Sequence, residues 1–243
     1  MKLIEIENLN LEIDGEKLLK NINLSIESGE IVALAGESGS GKTLTTKFIL
    51  GILPERSIVE YDKFEKPCKI GAVFQNAFTS LNPTVKIGSQ LKKIYEGHYG
   101  KSKEWKERVL HILKKVGIKD SEIVLSKYPF ETSGGEKQRI VIAGALIGNP
   151  QLLIADEVTT ALDLKTKKEV IDLFKNIQAK TGISILFISH DLDAIRGFAN
   201  RVYVTYKGEI VEENSCEEIF KHQTHPYVQK LMGLSQKLWV RGE

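Results

Sequence analysis

The segment GESGSGKT, from Gly36 to Thr43, constrains this chain more than any other stretch, because it meets the phosphate-loop pattern G-x-x-x-x-G-K-[ST] at every required position. Upstream, EIVALA (Glu30 to Ala35) is a short apolar run rich in β-branched residues. Downstream, TLTTKFILG (Thr43 to Gly51) has apolar residues at helical spacing. The order is strand, loop, helix. Glycines let the backbone wrap an anion with its N–H groups, and the helix N-terminus faces the charge. Lys42 can reach the β and γ oxygens of a nucleoside triphosphate, and the Thr43 hydroxyl can ligate magnesium. The expected nucleotide-binding set is Gly36, Glu37, Ser38, Gly39, Ser40, Gly41, Lys42, Thr43 and Thr45.

Bulk properties narrow the class. At 243 residues and 42% hydrophobic, the chain can bury a sizeable core and is expected to be one domain, with at most a subdomain. A formal net charge of +2 makes no case for a nucleic-acid partner. Apolar runs such as ISILFIS (Ile183 to Ser189) are strand-length, and none approaches the roughly 18 residues that span a bilayer. The N-terminal MKLIEIENLNLEI alternates charged and apolar residues and lacks the apolar centre of a signal peptide, so a cytosolic chain is expected. Cys68 and Cys216 lie far apart and suggest neither a disulfide framework nor a zinc site.

Between Ile4 and Ile26, two alternating stretches flank Asp14-Gly15, a strong hairpin signal, and predict an antiparallel layer beside the phosphate-loop strand. Pro54 stops the first helix, and KIGAVFQ (Lys69 to Gln75) predicts a strand. Residues 87 to 116 are charged, with apolar spacing of three and four. Strands at 152–155 and 183–188 alternate with helices at 164–180 and 191–199, a rhythm that points to a parallel sheet covered by helices. A last hairpin turns at Lys207-Gly208. LLIADE ends an apolar strand with two acids, which is costly at the edge of a core unless a cation or a reaction needs them. Asp156 would help hold magnesium, and Glu157 would poise and deprotonate the water that attacks the γ-phosphate.

Four further segments follow in a fixed order: YPFETSGGEKQRIVIAGAL (Tyr128 to Leu146), NPQLLIADE (Asn149 to Glu157), TTALD (Thr159 to Asp163) and ILFISHD (Ile185 to Asp191). This set resembles the signature motif, Walker B strand, D-loop and switch histidine of the ATP-binding-cassette (ABC) ATPases, over essentially the whole chain. The resemblance implies an α/β P-loop fold with a RecA-like parallel-sheet core, an N-terminal antiparallel layer and an inserted helical subdomain. The nucleotide core would be residues 1–76 and 149–243, and the helical subdomain residues 77–148. The Pro54 to Lys69 span is short beside the family's usual antiparallel insert. The resemblance also implies ATP and Mg2+ as ligands and assigns roles. His190 contacts the γ-phosphate and, with Lys42 and Glu157, forms the catalytic set. Gln75 joins Thr43 and Asp156 in the magnesium shell, and Asp163 lies in the D-loop.

Ser133, Gly134 and Gly135 open a helix whose N–H groups and hydroxyl offer a second anion site, which the family places on the ATP of an opposite subunit. Glu136 stands where the family has glutamine, and Val158 where it typically has proline after the catalytic acid, a change expected to loosen the turn toward Asp163. Many members stack adenine on an aromatic residue upstream of the phosphate loop. Here Ile13 is the substitute, offering apolar burial without π-stacking, so weaker discrimination between ATP and GTP is expected.

Within the family, KFILGILPE, TSLNPTVKIG, KYPFE and HPYVQKLM (His225 to Met232) are similar to the peptide and nickel importer branch. The short C-terminal stretch without a cysteine cluster, together with the GILP and YPFE segments, leads to the expectation of nickel or a metal chelate over peptide. The resemblance implies a peripheral subunit on the cytoplasmic face of the membrane. Its partners would be a second ATPase, a non-identical chain favoured over a second copy of this one, two membrane permeases and an extracytoplasmic substrate-binding protein, with no nucleic acid. Two rivals remain. A non-transport ABC ATPase of DNA repair or translation would carry coiled-coil insertions or two cassettes in one chain. A non-hydrolytic ATP-binding module would not need Lys42, Thr43, Gln75, Asp156, Glu157 and His190 together.

Overall fold

The computed structural model describes residues 1–67, 69–74, 80–160 and 162–239, the last seven of these by backbone only. Cys68 and Gln75 lie outside the described residues.

Strands β1 (Lys2–Ile13) and β2 (Glu16–Glu27) pair antiparallel. Asp14 and Gly15 join them with φ of 50° and 84°. Positive φ at both central residues is the turn that matches strand twist and that Asp-Gly favours. Ile4, Ile6, Leu9 and Leu11 point inward with Leu19, Ile22, Leu24 and Ile26 of the partner strand. The step from Ile6 to Leu9 breaks the alternation, and the register shifts there. Asn8 and Asn21 take positive φ of 54° and 49° at these irregularities. Asn23 Oδ1 accepts the Asn8 N–H at 3.0 Å, and Asn10 Oδ1 accepts the Asn21 N–H at 3.2 Å. The free edge of β1 pairs with β4 (Ser57–Glu60) and β5 (Lys63–Glu65), which fill the short span after Pro54.

The central sheet contains β3 (Ile31–Ala35), β6 (Ile70–Val73), β7 (Leu152–Asp156), β8 (Ser184–Ser189), β9 (Arg201–Tyr206) and β10 (Glu209–Ser215) in the order β10-β9-β3-β8-β7-β6. All neighbours are parallel except β10, which returns antiparallel on β9 through Lys207-Gly208. In β3, β7 and β8 both faces are buried, which is why these strands are almost continuously apolar. Ala33, Leu153 and Phe187 face one core, Val32, Ile154 and Leu186 the other, which the antiparallel layer closes. Helix α1 (Lys42–Leu50) inserts Phe48 and Ile49 into that second core and ends at Gly51 with φ 71°. Burial of two such side chains is worth about 1.5–3 kcal/mol each.

Helices α2 (Ile87–Tyr99), α3 (Trp105–Lys115), α4 (Ser121–Ser126) and α5 (Gly134–Leu146) lie between β6 and β7 in sequence and pack on one another. Helices α6 (Leu164–Thr181), α7 (Leu192–Ile195), α8 (Cys216–Lys221) and α9 (Pro226–Trp239) complete the chain. The helix expected over 191–199 is shorter than its apolar spacing suggested. Arg196 is extended (ψ 123°) and Gly197 takes φ 63°, which together end it after one turn. Strand order brings the C-terminal ends of β9, β3, β8 and β7 to one edge. The phosphate loop follows β3 there, Glu157 follows β7 and His190 follows β8.

Candidate active site

The phosphate loop starts where β3 ends. Gly36 has φ 151°, and a Cβ there would lie 2.3 Å from Thr205 O and 2.7 Å from Ser40 Oγ, so only glycine fits. Thr205, on β9, braces the loop from beneath. Its hydroxyl donates to Ala35 O at 3.0 Å, so in the 2.8 Å contact between the two hydroxyls Ser40 Oγ is the donor. Lys42 is only 3% exposed, and its Nζ donates to Gly36 O and Glu37 O, both at 2.8 Å. Burial pushes its pKa down, with Glu157, Asp156 and Glu37 acting against that. Glu37, Ser38, Gly39 and Thr43 are exposed. Thr45, expected among the nucleotide ligands, is buried, and its hydroxyl donates to Gly41 O at 3.1 Å. It braces the first turn of α1.

Asp156 is 6% exposed, and among the described residues its Oδ1 has no hydrogen-bond partner. Burial pushes its pKa up to about 6, with the neighbouring Glu157 adding to the rise. A buried acceptor left unpaired costs about 1–3 kcal/mol, more when charged. A hard divalent cation would satisfy it, and an oxygen donor set of Asp156 with the nearby loop's exposed Thr43 hydroxyl fits magnesium.

Glu157 continues the ladder through its N–H, which donates to Ile188 O at 3.0 Å, but its φ of 51° turns the chain out of the sheet. Such a conformation costs of order 1 kcal/mol in a non-glycine residue. Its carboxylate lies among three groups: Lys42 Nζ at 3.9 Å, His190 Nδ1 at 3.6 Å and the Thr160 hydroxyl, which donates at 3.3 Å. An acid, a cation and an imidazole from three separate segments therefore meet at one point. Val158, expected to loosen the turn toward Asp163, comes next. Its side chain is buried, and its carbonyl accepts from Gln138 Nε2 of α5 at 3.1 Å. After His190, Asp191 caps α7 and pairs with Lys167 of α6 at 2.7 Å.

Other expected residues stand apart. Ser133 and Glu136 form a reciprocal cap: Ser133 Oγ accepts the Glu136 N–H at 3.2 Å, and Glu136 Oε2 accepts the Ser133 N–H at 3.1 Å. Among the described residues no hydrogen bond or ion pair joins Ser133, Gly134, Gly135 or Glu136 to the phosphate loop. Asp163 caps α6 by accepting from the N–H groups of Lys165 and Thr166, and hydrogen bonds from Thr166 hold its pKa down. Ile13 is half-buried at the end of β1, opposite Ser57. Thr205, Gln138 and Lys167 were not legible as site residues. The only signal for Thr205 was its position near the end of a strand beside β3.

A phosphate loop between a buried strand and a helix, on a parallel sheet whose neighbouring strands end in an acid pair and a histidine, defines a P-loop nucleotide-binding protein. Residues 19–160 match the ABC transporter family profile. The dipeptide transport ATP-binding protein DppD of Lactococcus lactis subsp. cremoris (strain MG1363) is 38% identical over 254 residues, covering 95% of this chain and 73% of that protein. The oligopeptide transport ATP-binding protein OppD of Bacillus subtilis (strain 168) is 38% identical over 265 residues, covering 100% of this chain and 74% of that protein. A solved structure of CbiO1 from Clostridium perfringens, described as part of the ABC transporter complex CbiONQ, superposes with a TM-score of 0.78 at 29% identity, covering 91% of each chain. The chain belongs to the ABC transporter family. It binds ATP and is an ATPase whose hydrolysis is coupled to transport. Among the described residues no helix is long and apolar enough to cross a membrane.

Proposed function

We propose that this chain powers an importer of peptides, and that its ATP site is built from Gly36 to Thr43, Asp156, Glu157 and His190. The observation that carries the catalytic reading is the meeting of Glu157 with Lys42 and His190 beside the unpaired Asp156 Oδ1. Backbone N–H groups of the loop would cradle the phosphates, and Lys42, held by the carbonyls of Gly36 and Glu37, would turn its remaining N–H toward the β and γ oxygens. Thr43 and Asp156 would hold magnesium, with Gln75 expected in the same shell. When bound, it neutralises charge on the phosphate oxygens. Glu157 would accept the proton of the attacking water, and His190 would hydrogen-bond the γ-phosphate, both in a region where Lys42 favours developing negative charge. Ile13 would offer adenine an aliphatic face.

Several assignments rest on the family. Residues 1–76 and 149–243 would form the nucleotide core and 77–148 the helical subdomain. Among the described residues Ser133 to Glu136 have no hydrogen bond or ion pair with their own phosphate loop, which supports their use on the ATP of a second ATPase chain, with Asp163 at that junction. Two permeases and an extracytoplasmic binding protein would complete the assembly, and this chain would sit peripherally on its cytoplasmic side. On cargo, the two relatives above carry peptide-transport names. That supports peptide over the nickel or metal chelate expected from the missing cysteine cluster.

The test is purification of the intact complex from its native membrane, followed by reconstitution and ATP-driven uptake of radiolabelled dipeptide and of nickel. Peptide uptake, lost with Lys42→Ala, is expected. Uptake of nickel alone would overturn the cargo, and a preparation without a permease would overturn the importer.

A further inference from the structure

HPYVQKLM marks a branch of the family but has no part in the mechanism above. The structure packs it against the phosphate loop. The Glu212 carboxylate, buried in the middle of β10, accepts the N–H of Thr224 at 3.2 Å and of His225 at 3.0 Å. His225 Nδ1 in turn accepts the Tyr227 N–H at 3.2 Å, so the start of α9 is pinned. Tyr227 is 8% exposed and stacks on Tyr206 at the end of β9, with ring centroids 4.2 Å apart. Its Oη accepts the Glu37 N–H at 2.9 Å. The carbonyl of that same peptide unit, Gly36 O, accepts from Lys42 Nζ at 2.8 Å. One planar peptide thus has Tyr227 on its N–H side and the Lys42 ammonium on its oxygen side. Because the unit is rigid, holding the N–H sets the direction of the carbonyl, and the two bonds polarise each other in the same sense.

We propose that Tyr227 is a positioning residue for nucleotide binding: its hydroxyl orients the Gly36–Glu37 peptide and so holds Lys42 where the phosphate oxygens arrive. This rests on the phosphate loop being the nucleotide site. The ring and the hydroxyl have separable duties. The ring packs on Tyr206 and the hydroxyl alone reaches the loop, so removing only the oxygen isolates the positioning role.

The experiment uses the full chain with magnesium and a fluorescent ATP analogue. Tyr227→Phe keeps the stack, and its Kd is expected to rise about five-fold, the size of one net hydrogen bond. Amide exchange at Glu37 in the nucleotide-free protein is expected to quicken while that of β3 stays unchanged. Tyr206→Phe, which removes a hydroxyl from the other ring of the stack, should leave both readouts at wild-type values. Lys42→Ala should weaken binding more than either. A wild-type Kd with unchanged Glu37 exchange in Tyr227→Phe, beside weakened Lys42→Ala, would overturn the positioning role. Equal losses in Tyr227→Phe and Tyr206→Phe would overturn it too, since the effect would then lie in ring packing. A wild-type Kd in Lys42→Ala would instead overturn the loop assignment beneath it.

Discussion

Glu5 on β1 and Asp156 at the end of β7 are both carboxylates near lysines, yet their acidities move in opposite directions. Glu5 accepts hydrogen bonds from Lys2 and Lys63, and these hold its pKa down to about 2. Asp156 is buried with one oxygen unpaired, and burial pushes its pKa up to about 6. The backbone repeats the contrast. Asn8 and Asn21 take positive φ in the antiparallel layer, but each N–H is met by an asparagine on the facing strand. Glu157 takes positive φ at the sheet edge, and its side chain is left facing Lys42 and His190. In the layer these polar groups find partners on the neighbouring strand or on nearby lysines. The sheet edge leaves Asp156 Oδ1 unpaired among the described residues, which supports the proposal that this edge holds a cation and a phosphate chain.

The largest effect that could break this contrast is at Glu157. Glu157→Gln keeps shape but cannot take a proton, so phosphate release by the assembled complex should fall about 10²–10⁴-fold with ATP still bound. Turnover above about a tenth of wild type would place the base elsewhere.

Asp156 sharpens the contrast through stability. Its pKa is raised from 3.8 to about 6 in the folded chain, so the native state holds the proton more tightly than the unfolded one. Its contribution is fully present below about pH 4 and is lost as pH rises through about 6, a penalty of about 3 kcal/mol at neutral pH without a cation. Asp156→Asn should therefore stabilise the nucleotide- and cation-free chain at pH 7 by about 1–3 kcal/mol and flatten its gain between pH 7 and 5. Denaturant titrations at pH 5, 6 and 7 measure this, and a less stable variant at pH 7 would contradict the account. Glu5 has the opposite sign: its stabilisation is present at neutral pH and lost as pH falls through about 2.

The smallest effect lies in the layer's backbone. Asn21→Ala, at φ 49°, should cost about 1 kcal/mol, and Asn21→Gly less, because only the alanine Cβ opposes the left-handed conformation. Equal losses would shift the cause to the side-chain bond between Asn23 Nδ2 and Asn21 Oδ1.

By itself the sequence determined the features whose residues supply their own backbone geometry. Gly36 to Thr43, the hairpins at Asp14-Gly15 and Lys207-Gly208, and the acids that end β7 were all legible, since turn, loop and strand end depend on the residues that occupy them. The shortened α7 was missed because apolar spacing continued past Arg196 while the backbone did not. Ser133 and Glu136 stand at the S-x-x-E spacing of a capping box, whereas Gln138 as the support that fixes Val158 depends on a side-chain direction that spacing does not show. Only the tertiary structure decided that Thr205 braces Ser40 across 165 residues and that Tyr227 reaches Glu37 across 190. Strand order sets those meetings: β9 lies beside β3, and α9 packs over the end of β9, so residues far apart in sequence share one sheet edge.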